Sequence, residues 1–243
     1  HTGDAILRGL AQDTNNWMVY GLQPFENAVT LEDKIAGSRM ALLEAIRNGT
    51  TTLGDYWGEM DDVCAFIDKV GARGNITQRV RAAKYKVYKP GELYEFDDAM
   101  GEESLAETIA LYDKWHNRAG GRIKILFGPQ GVDFLSIELL KKTQKIVRER
   151  NTYMHIHVQQ GDRETYQIVK RYGKRPVELM RDIELLDERV IAVHLTDCTE
   201  EEAKMVARTG ASMIVNPGSI AIIDGIVCPS VAFQEAGGNC ALG

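Results

Sequence analysis

Two of the five histidines in this chain of 243 residues, His155 and His157, alternate within the short apolar run "TYMHIHVQQGD" at 152–162. Alternation sends two side chains to one face of a strand. Both imidazoles therefore point the same way near the end of a buried strand. Two readings are open: satisfied core imidazoles, or a metal ligand and its neighbour. The other histidines bear on the choice, because His194 ends the apolar run "VIAVHL" and His1 opens the chain. Imidazole nitrogens suit zinc, iron or nickel. A catalytic divalent ion needs about three protein ligands and an open position for water, which ionises near neutral pH when bound. His1, His157 and His194 could supply the nitrogens. A carboxylate to complete the shell and take the water's proton is expected after the last strand, where the chain stops.

The elements that must position these residues can be read from periodicity. "TLEDKIAGSRMALLEAIRN" at 30–48 reads as an amphipathic helix with Thr30 as N-cap and Gly49 as its stop. Strands are expected at "TTTLGDYW", "ITQRVRAAKYKVY", "RIKILFG", "TYMHIHV", "RVIAVHL" and "ASMIVNPG", with a last one opening at "NCALG". Helices are expected between them. "MDDVCAFIDKVGARG" ends at Gly71, "SIELLKKTQKIVRERN" is capped by Ser136, and "TEEEAKMVARTG" has Thr199 and Glu202 as a capping box. "ESLAETIALYDKWHNRAGG", the pair "DRETYQIVKRYG" and "RPVELMRDIELLD", and "SVAFQEAG" complete the set. Short apolar strands alternating with helices predict parallel strands covered by helices on both faces. The number of units is near that of a (β/α)8 barrel. A doubly wound sheet is the alternative, but neither GxGxxG nor GxxxxGK[ST] occurs. No linker or shift in composition divides residues 1–243, so a single domain is expected.

Polar residues then fall just after the strands: Asp55 and Tyr56, Gln130, His157 and Gln160, His194, and Asn216. In a barrel these positions converge on one mouth, where catalytic groups sit. His116, in "DKWHNR", reads instead as a surface helix residue.

Composition limits the partners. With 29 basic and 35 acidic residues the net charge is −6, which argues against nucleic acid. No apolar run is long enough to span a bilayer. Four scattered cysteines without a CxxC pair suggest reduced thiols and a cytoplasmic setting. A small molecule is the expected partner, and a homo-oligomer the expected assembly.

Several segments together carry a resemblance: "HTGDAILRGLAQD", "LQPFENAVTLED", "EAIRNGTTTLGDY", "FGPQ", "MHIHVQQ", "VIAVHL" and "VNPGSIAIIDGIVCPSVAFQEAGGNCALG". In this order the chain resembles the amidohydrolase superfamily over essentially its whole length. Within it, the chain is most similar to the group of S-adenosylhomocysteine, methylthioadenosine, guanine and cytosine deaminases and the triazine hydrolases (chlorohydrolases). The resemblance implies a distorted (β/α)8 TIM-type barrel, truncated at both ends, without the small β-sandwich that flanks it in the family. It implies one divalent metal ion, zinc or iron. His1 would be the second histidine of an HTH pair, His157 the ligand of the fifth strand and His194 that of the sixth. His-Thr is expected immediately before His1, and Ser/Thr-Asp immediately after Gly243. Glu26 matches a glutamate that holds ribose hydroxyls, or it is a carboxylate near a helix N-terminus. Gln130 stands where a ring-contacting histidine is common, and Asn216 is a further substrate contact. The implied reaction is hydrolysis of a C–N bond, a deamination, in a cyclic amidine.

Two departures qualify this. The deaminases carry His-x-x-Glu, whose glutamate moves a proton to the ring; here the motif is His157-Val158-Gln159-Gln160. An amide cannot carry a proton near neutral pH, and such help is worth about 10²–10⁴-fold. Gln160 can still orient a ring. Release of chloride or an alkylamine, as in the triazine hydrolases, or ligand binding without turnover, therefore remains open. Ile220 also replaces a polar residue in "NPGSI". Arg79 and Arg81, on one strand face, could bind a substrate carboxylate or be solvated. Trp17 and Tyr20 are read as core packing rather than a pocket lip, and "TEEEAK" as a solvated helix N-terminus.

Overall fold

The computed structural model describes residues 1–10, 25, 28–86, 88–89, 91–218, 220 and 225–243. They form two compact units, residues 1–79 with 107–126 and residues 80–106 with 127–243. In both, parallel strands alternate with helices.

The first unit begins with a 3₁₀ turn, Thr2–Leu7. Helix α1 (Leu31–Arg47) starts at Thr30, whose hydroxyl accepts the Asp33 N–H while Asp33 accepts the Thr30 N–H. This reciprocal cap satisfies two N–H groups the helix cannot pair by itself. Gly37 lets α1 approach the opening turn: a Cβ there would stand 2.8 Å from the Gly3 carbonyl oxygen. Strand β1 (Leu53–Trp57), helix α2 (Asp61–Val70) and strand β2 (Gly74–Val80) follow. Helix α2 stops because Gly71 adopts φ +77°. The strands pair in parallel from Leu53↔Gly74 to Trp57↔Gln78. Their core contains Leu42, Met60, Val63, Cys64, Ile67 and Ile76, packed with Leu111 of helix α3 (Asp98–Trp115) and Ile123 and Ile125 of strand β3 (Ile123–Pro129).

The second unit takes the end of β3 and adds helix α4 (Ile137–Glu149), strand β4 (Met154–Val158), helices α5 (Asp162–Tyr172) and α6 (Pro176–Asp182), strand β5 (Val190–His194), helix α7 (Glu200–Arg208), strand β6 (Ser212–Val215), helix α8 (Ser230–Glu235) and strand β7 (Asn239–Leu242). Strands β3 to β7 are neighbours in chain order, and each pair is parallel. Met154, Ile156, Val158, Ala192 and Met213 are fully buried from these strands, with Phe127 and Phe233 beside them. Ser136 caps α4 by accepting the Leu139 N–H, and Thr199 and Glu202 form the capping box of α7.

The structure changes several expectations. β2 ends at Val80 rather than continuing to residue 88. Arg81 therefore leaves the strand, and its guanidinium turns back to donate to the Ala83 carbonyl at 2.6 Å. Helix α3 starts at Asp98, five residues before the expected "ESLAET". His116 is not a solvated helix residue. It lies beyond α3, half-buried, stacked on Tyr112 at 4.2 Å, and its Nδ1 accepts the Ile125 N–H. "TEEEAK" is not uniformly solvated, because Glu202 is buried and paired with Arg175 at 2.7 Å. Trp17, Tyr20 and Glu26 lie outside the described residues.

Candidate active site

Strand β4 places its apolar residues on one face and its histidines on the other: Met154, Ile156 and Val158 are buried, His155 and His157 half-buried. At the strand's end, the His157 Nδ1–H donates to the Gln130 carbonyl at 2.6 Å. A carbonyl only accepts, so the proton belongs to Nδ1 and the lone pair to Nε2. Burial pushes the pKa of His157 well below that of an ordinary imidazole, and His194 and His155 depress it further.

His194 ends β5 in a left-handed conformation, φ +82°, and Leu195 follows at φ +49°. Two successive left-handed residues other than glycine are costly backbone. Three bonds hold them: the Leu195 N–H donates to Val158, and the Thr196 and Asp197 N–H groups both donate to Gln159, each at 2.9 Å. The resulting turn lays the His194 ring against His157, with centroids 5.4 Å apart and planes 20° from parallel. Burial lowers the His194 pKa to about 4. The Asn216 amide lies 3.4 Å from His194 Nδ1. Two imidazoles, His157 half-buried and His194 buried, both neutral at neutral pH, thus stand side by side at adjacent strand ends, in the protonation state that binds cations.

Gln130 does more than accept from His157. Its side-chain oxygen accepts from Arg81 Nη1 at 2.9 Å, and its N–H donates to Val80 at 3.0 Å. The Gln160 N–H donates to a carboxylate oxygen of Glu164 at 3.2 Å. Glu164 is buried, and burial followed by repulsion from Asp133 pushes its carboxyl up to about 8. Asp133 is itself buried, with Arg163 Nη2 at 3.7 Å. Ile220 is buried as well.

His1 belongs to the first unit. Its ring lies 5.5 Å from Tyr56 and 5.0 Å from Trp57, and its Nδ1 meets the Tyr56 carbonyl. Asp55, buried in β1, accepts the Thr2 N–H at 3.0 Å and the Tyr56 N–H at 2.9 Å, fixing the opening residues to the strand. Among the described residues, no group of three or more His, Cys, Asp or Glu side chains is arranged to hold a metal ion. The structure thus brings His157, His194, Gln130 and Asn216 together in one unit, with Gln160 anchored beside them, and places His1 with Asp55 and Tyr56 in the other.

Asp133, Arg163, Glu164 and the Arg81–Gln130 bond are the features that the sequence reading missed. The spacing Gln160…Glu164 is close to one helical turn and was readable; the approach of Asp133 to Arg163, thirty positions apart in the chain, was not.

Comparison with known proteins supplies the family. The model of the amidohydrolase family matches residues 1–232. The chain belongs to the amidohydrolase family. This amidohydrolase chain is 32% identical over 245 residues to a 5-methylthioadenosine/S-adenosylhomocysteine deaminase of Thermoanaerobacter pseudethanolicus, covering all of this chain and 54% of that protein. A 5′-deoxyadenosine deaminase of Methanosarcina mazei is 28% identical, again over the whole chain and 54% of its own length. The amidohydrolase chain thus spans about half the length of the curated relatives it matches. The crystal structure of a zinc-bound adenosine deaminase from Xanthomonas campestris superimposes with a TM-score of 0.86 at 26% identity, covering 100% of this chain and 53% of that one. A triazine hydrolase from Arthrobacter aurescens reaches a TM-score of 0.85 at 18% identity, covering 100% and 57%, a likeness of fold. The parallel α/β fold is accordingly of the TIM type seen in amidohydrolases.

Proposed function

We propose that this chain carries most of the catalytic barrel of a metal-dependent amidohydrolase that deaminates an adenine-type heterocycle. The carrying observation is the His157–His194 pair: two neutral imidazoles at adjacent strand ends, the first with its Nδ1 proton committed to a backbone carbonyl. A second hydrogen bond of this kind is how ligating histidines are usually oriented, so these residues fit a divalent ion. His157 and His194 would hold it, and His1 is the further ligand that the sequence resemblance implies. When bound, zinc or iron would make water a hydroxide-like nucleophile.

The chain's own residues bind and orient. Gln130 meets the ring edge, Gln160 orients the ring through its amide, Asn216 steadies His194, and Glu26 meets ribose-type hydroxyls. Water oxygen adds to the ring carbon bearing the amino group, the exocyclic C–N bond breaks, and ammonia leaves with the protons. The relatives named as adenosine-type deaminases support this substrate class. A cytoplasmic homo-oligomer, acting on small molecules alone, is the setting we propose.

Gln160 favours a second reading, release of a group that needs less protonation, such as chloride or an alkylamine. The full-length protein loaded with zinc and then with iron distinguishes them. Ammonia from 5′-deoxyadenosine or methylthioadenosine supports the first reading, and chloride or amine from a triazine the second. Tight metal with no product from purines, pterins, pyrimidines or triazines overturns both and leaves a binding protein.

A further inference from the structure

Gln130 is held from three directions. Its backbone N–H donates to Val80, its carbonyl accepts from His157, and its side-chain oxygen accepts from Arg81 Nη1 at 2.9 Å. The guanidinium that makes the last bond is also fixed. Arg81 Nε donates to Ala83 at 2.6 Å and Nη2 to Lys84 at 3.3 Å. Its Cζ also lies over two rings, 4.4 Å from the centroid of Tyr85 and 4.7 Å from that of Phe134. Stacking and a fork of donors are what make a guanidinium a rigid template rather than a mobile charge.

The chemistry leaves one orientation for the amide. Arginine has donors and no acceptor, so the side of Gln130 facing it must be the oxygen. An amide flip, ordinarily an assignment, is excluded because it would set N–H against N–H. Among the described residues, the Gln130 Nε2 group makes no hydrogen bond, so two N–H donors are what this half-buried side chain offers to a ligand.

We infer that Arg81 is a positioning residue that fixes the Gln130 amide with its N–H face away from the guanidinium, so that the site selects a ring presenting a bare acceptor nitrogen or carbonyl at that edge and rejects one presenting N–H or C–H. This rests on the proposed function for the place of Gln130 at the ring. Asparagine or glutamine can normally turn either its donor or its acceptor face to a ligand; with the oxygen held against Arg81, the face directed away from the guanidinium is the donor one. A ligand edge that donates would meet a second donor, and a C–H would leave a desolvated amide proton unpaired. Either costs enough to lower affinity by roughly tenfold to a hundredfold.

The test has two arms on the full-length protein. In the first, binding of 5′-deoxyadenosine is compared with that of its 1-deaza, 3-deaza and 7-deaza analogues, each with one ring nitrogen replaced by C–H. The wild type should weaken tenfold or more for one analogue, and Arg81→Met should bring that ratio to within about threefold of unity while Gln130→Met lowers binding of parent and analogue alike. An unchanged ratio in Arg81→Met, or equal binding of all four by the wild type, overturns the inference. In the second arm, the ¹⁵N resonance of the Gln130 side-chain amide is followed without ligand. It should move in Arg81→Met and return toward its original position in Arg81→Lys. No movement overturns the inference even if none of the four compounds binds, an outcome that would itself sink only the proposed substrate class.

Discussion

His116 follows the end of a helix and His157 lies next to last in a strand; both are half-buried, and both use Nδ1 against the backbone. The polarity is opposite. His116 Nδ1 accepts the Ile125 N–H at 3.1 Å, so its proton sits on Nε2 and its lone pair is consumed inside the fold. His157 Nδ1 donates to Gln130 at 2.6 Å, so its donor is consumed and the lone pair lies on Nε2. The first imidazole closes a turn. The second is prepared for a cation. The difference lies in which backbone group each ring meets, not in residue type, burial or pKa direction, since burial depresses both.

The comparison breaks if both residues respond alike to mutation. If the proposed function holds for the full-length protein, His157→Ala lowers kcat/KM by at least about 10³-fold with loss of the bound metal ion, whereas His116→Ala leaves kcat within about threefold. Parallel assays of turnover and metal content decide it. His116→Ala should act on stability instead, because it leaves the Ile125 N–H without its acceptor and strips the face of Tyr112. About 1–3 kcal/mol is expected from urea unfolding, and His116→Gln, which restores an acceptor, should lose less.

A pH series sharpens the same contrast between groups held inside the fold. Glu164 has its folded pKa raised to about 8 from 4.5, so between these values the folded state binds more protons than the unfolded one. The contribution of Glu164 to stability then falls as pH rises from 4.5 to 8, against the opposite contribution of His157 and His194, whose depressed values add stability as pH rises toward 6.5. Glu164→Gln should flatten that slope in urea titrations at pH 5 and pH 8; an unchanged slope would assign the decline elsewhere. The smallest effect is expected at Thr199, where Thr199→Ala removes a cap worth about 1 kcal/mol and should leave turnover intact.

Local rules made much of the fold legible. Thr30, Ser136 and Thr199 cap the helices they were expected to cap, Gly71 ends α2, and the apolar runs became parallel strands. The same rules erred at "RAAKYKVY", where alternation suggested a longer β2, but the Arg81 guanidinium bonds its own following backbone and the chain leaves the sheet. At the site, the strand-end positions of His157, His194 and Gln130 followed from spacing. Their tautomers, the left-handed turn at His194 and the buried pair Asp133 and Glu164 did not, because they depend on contacts between residues distant in the chain. His116 was misread for the same reason: its partner is Ile125, on the next strand.

The most direct test is the ¹⁵N spectrum of the histidines in metal-free protein at neutral pH, followed by zinc addition. His157 should be protonated at Nδ1 and His116 at Nε2, with zinc shifting the Nε2 signal of His157 and leaving His116 unmoved. A His157 ring protonated at Nε2, or one indifferent to zinc, would contradict it.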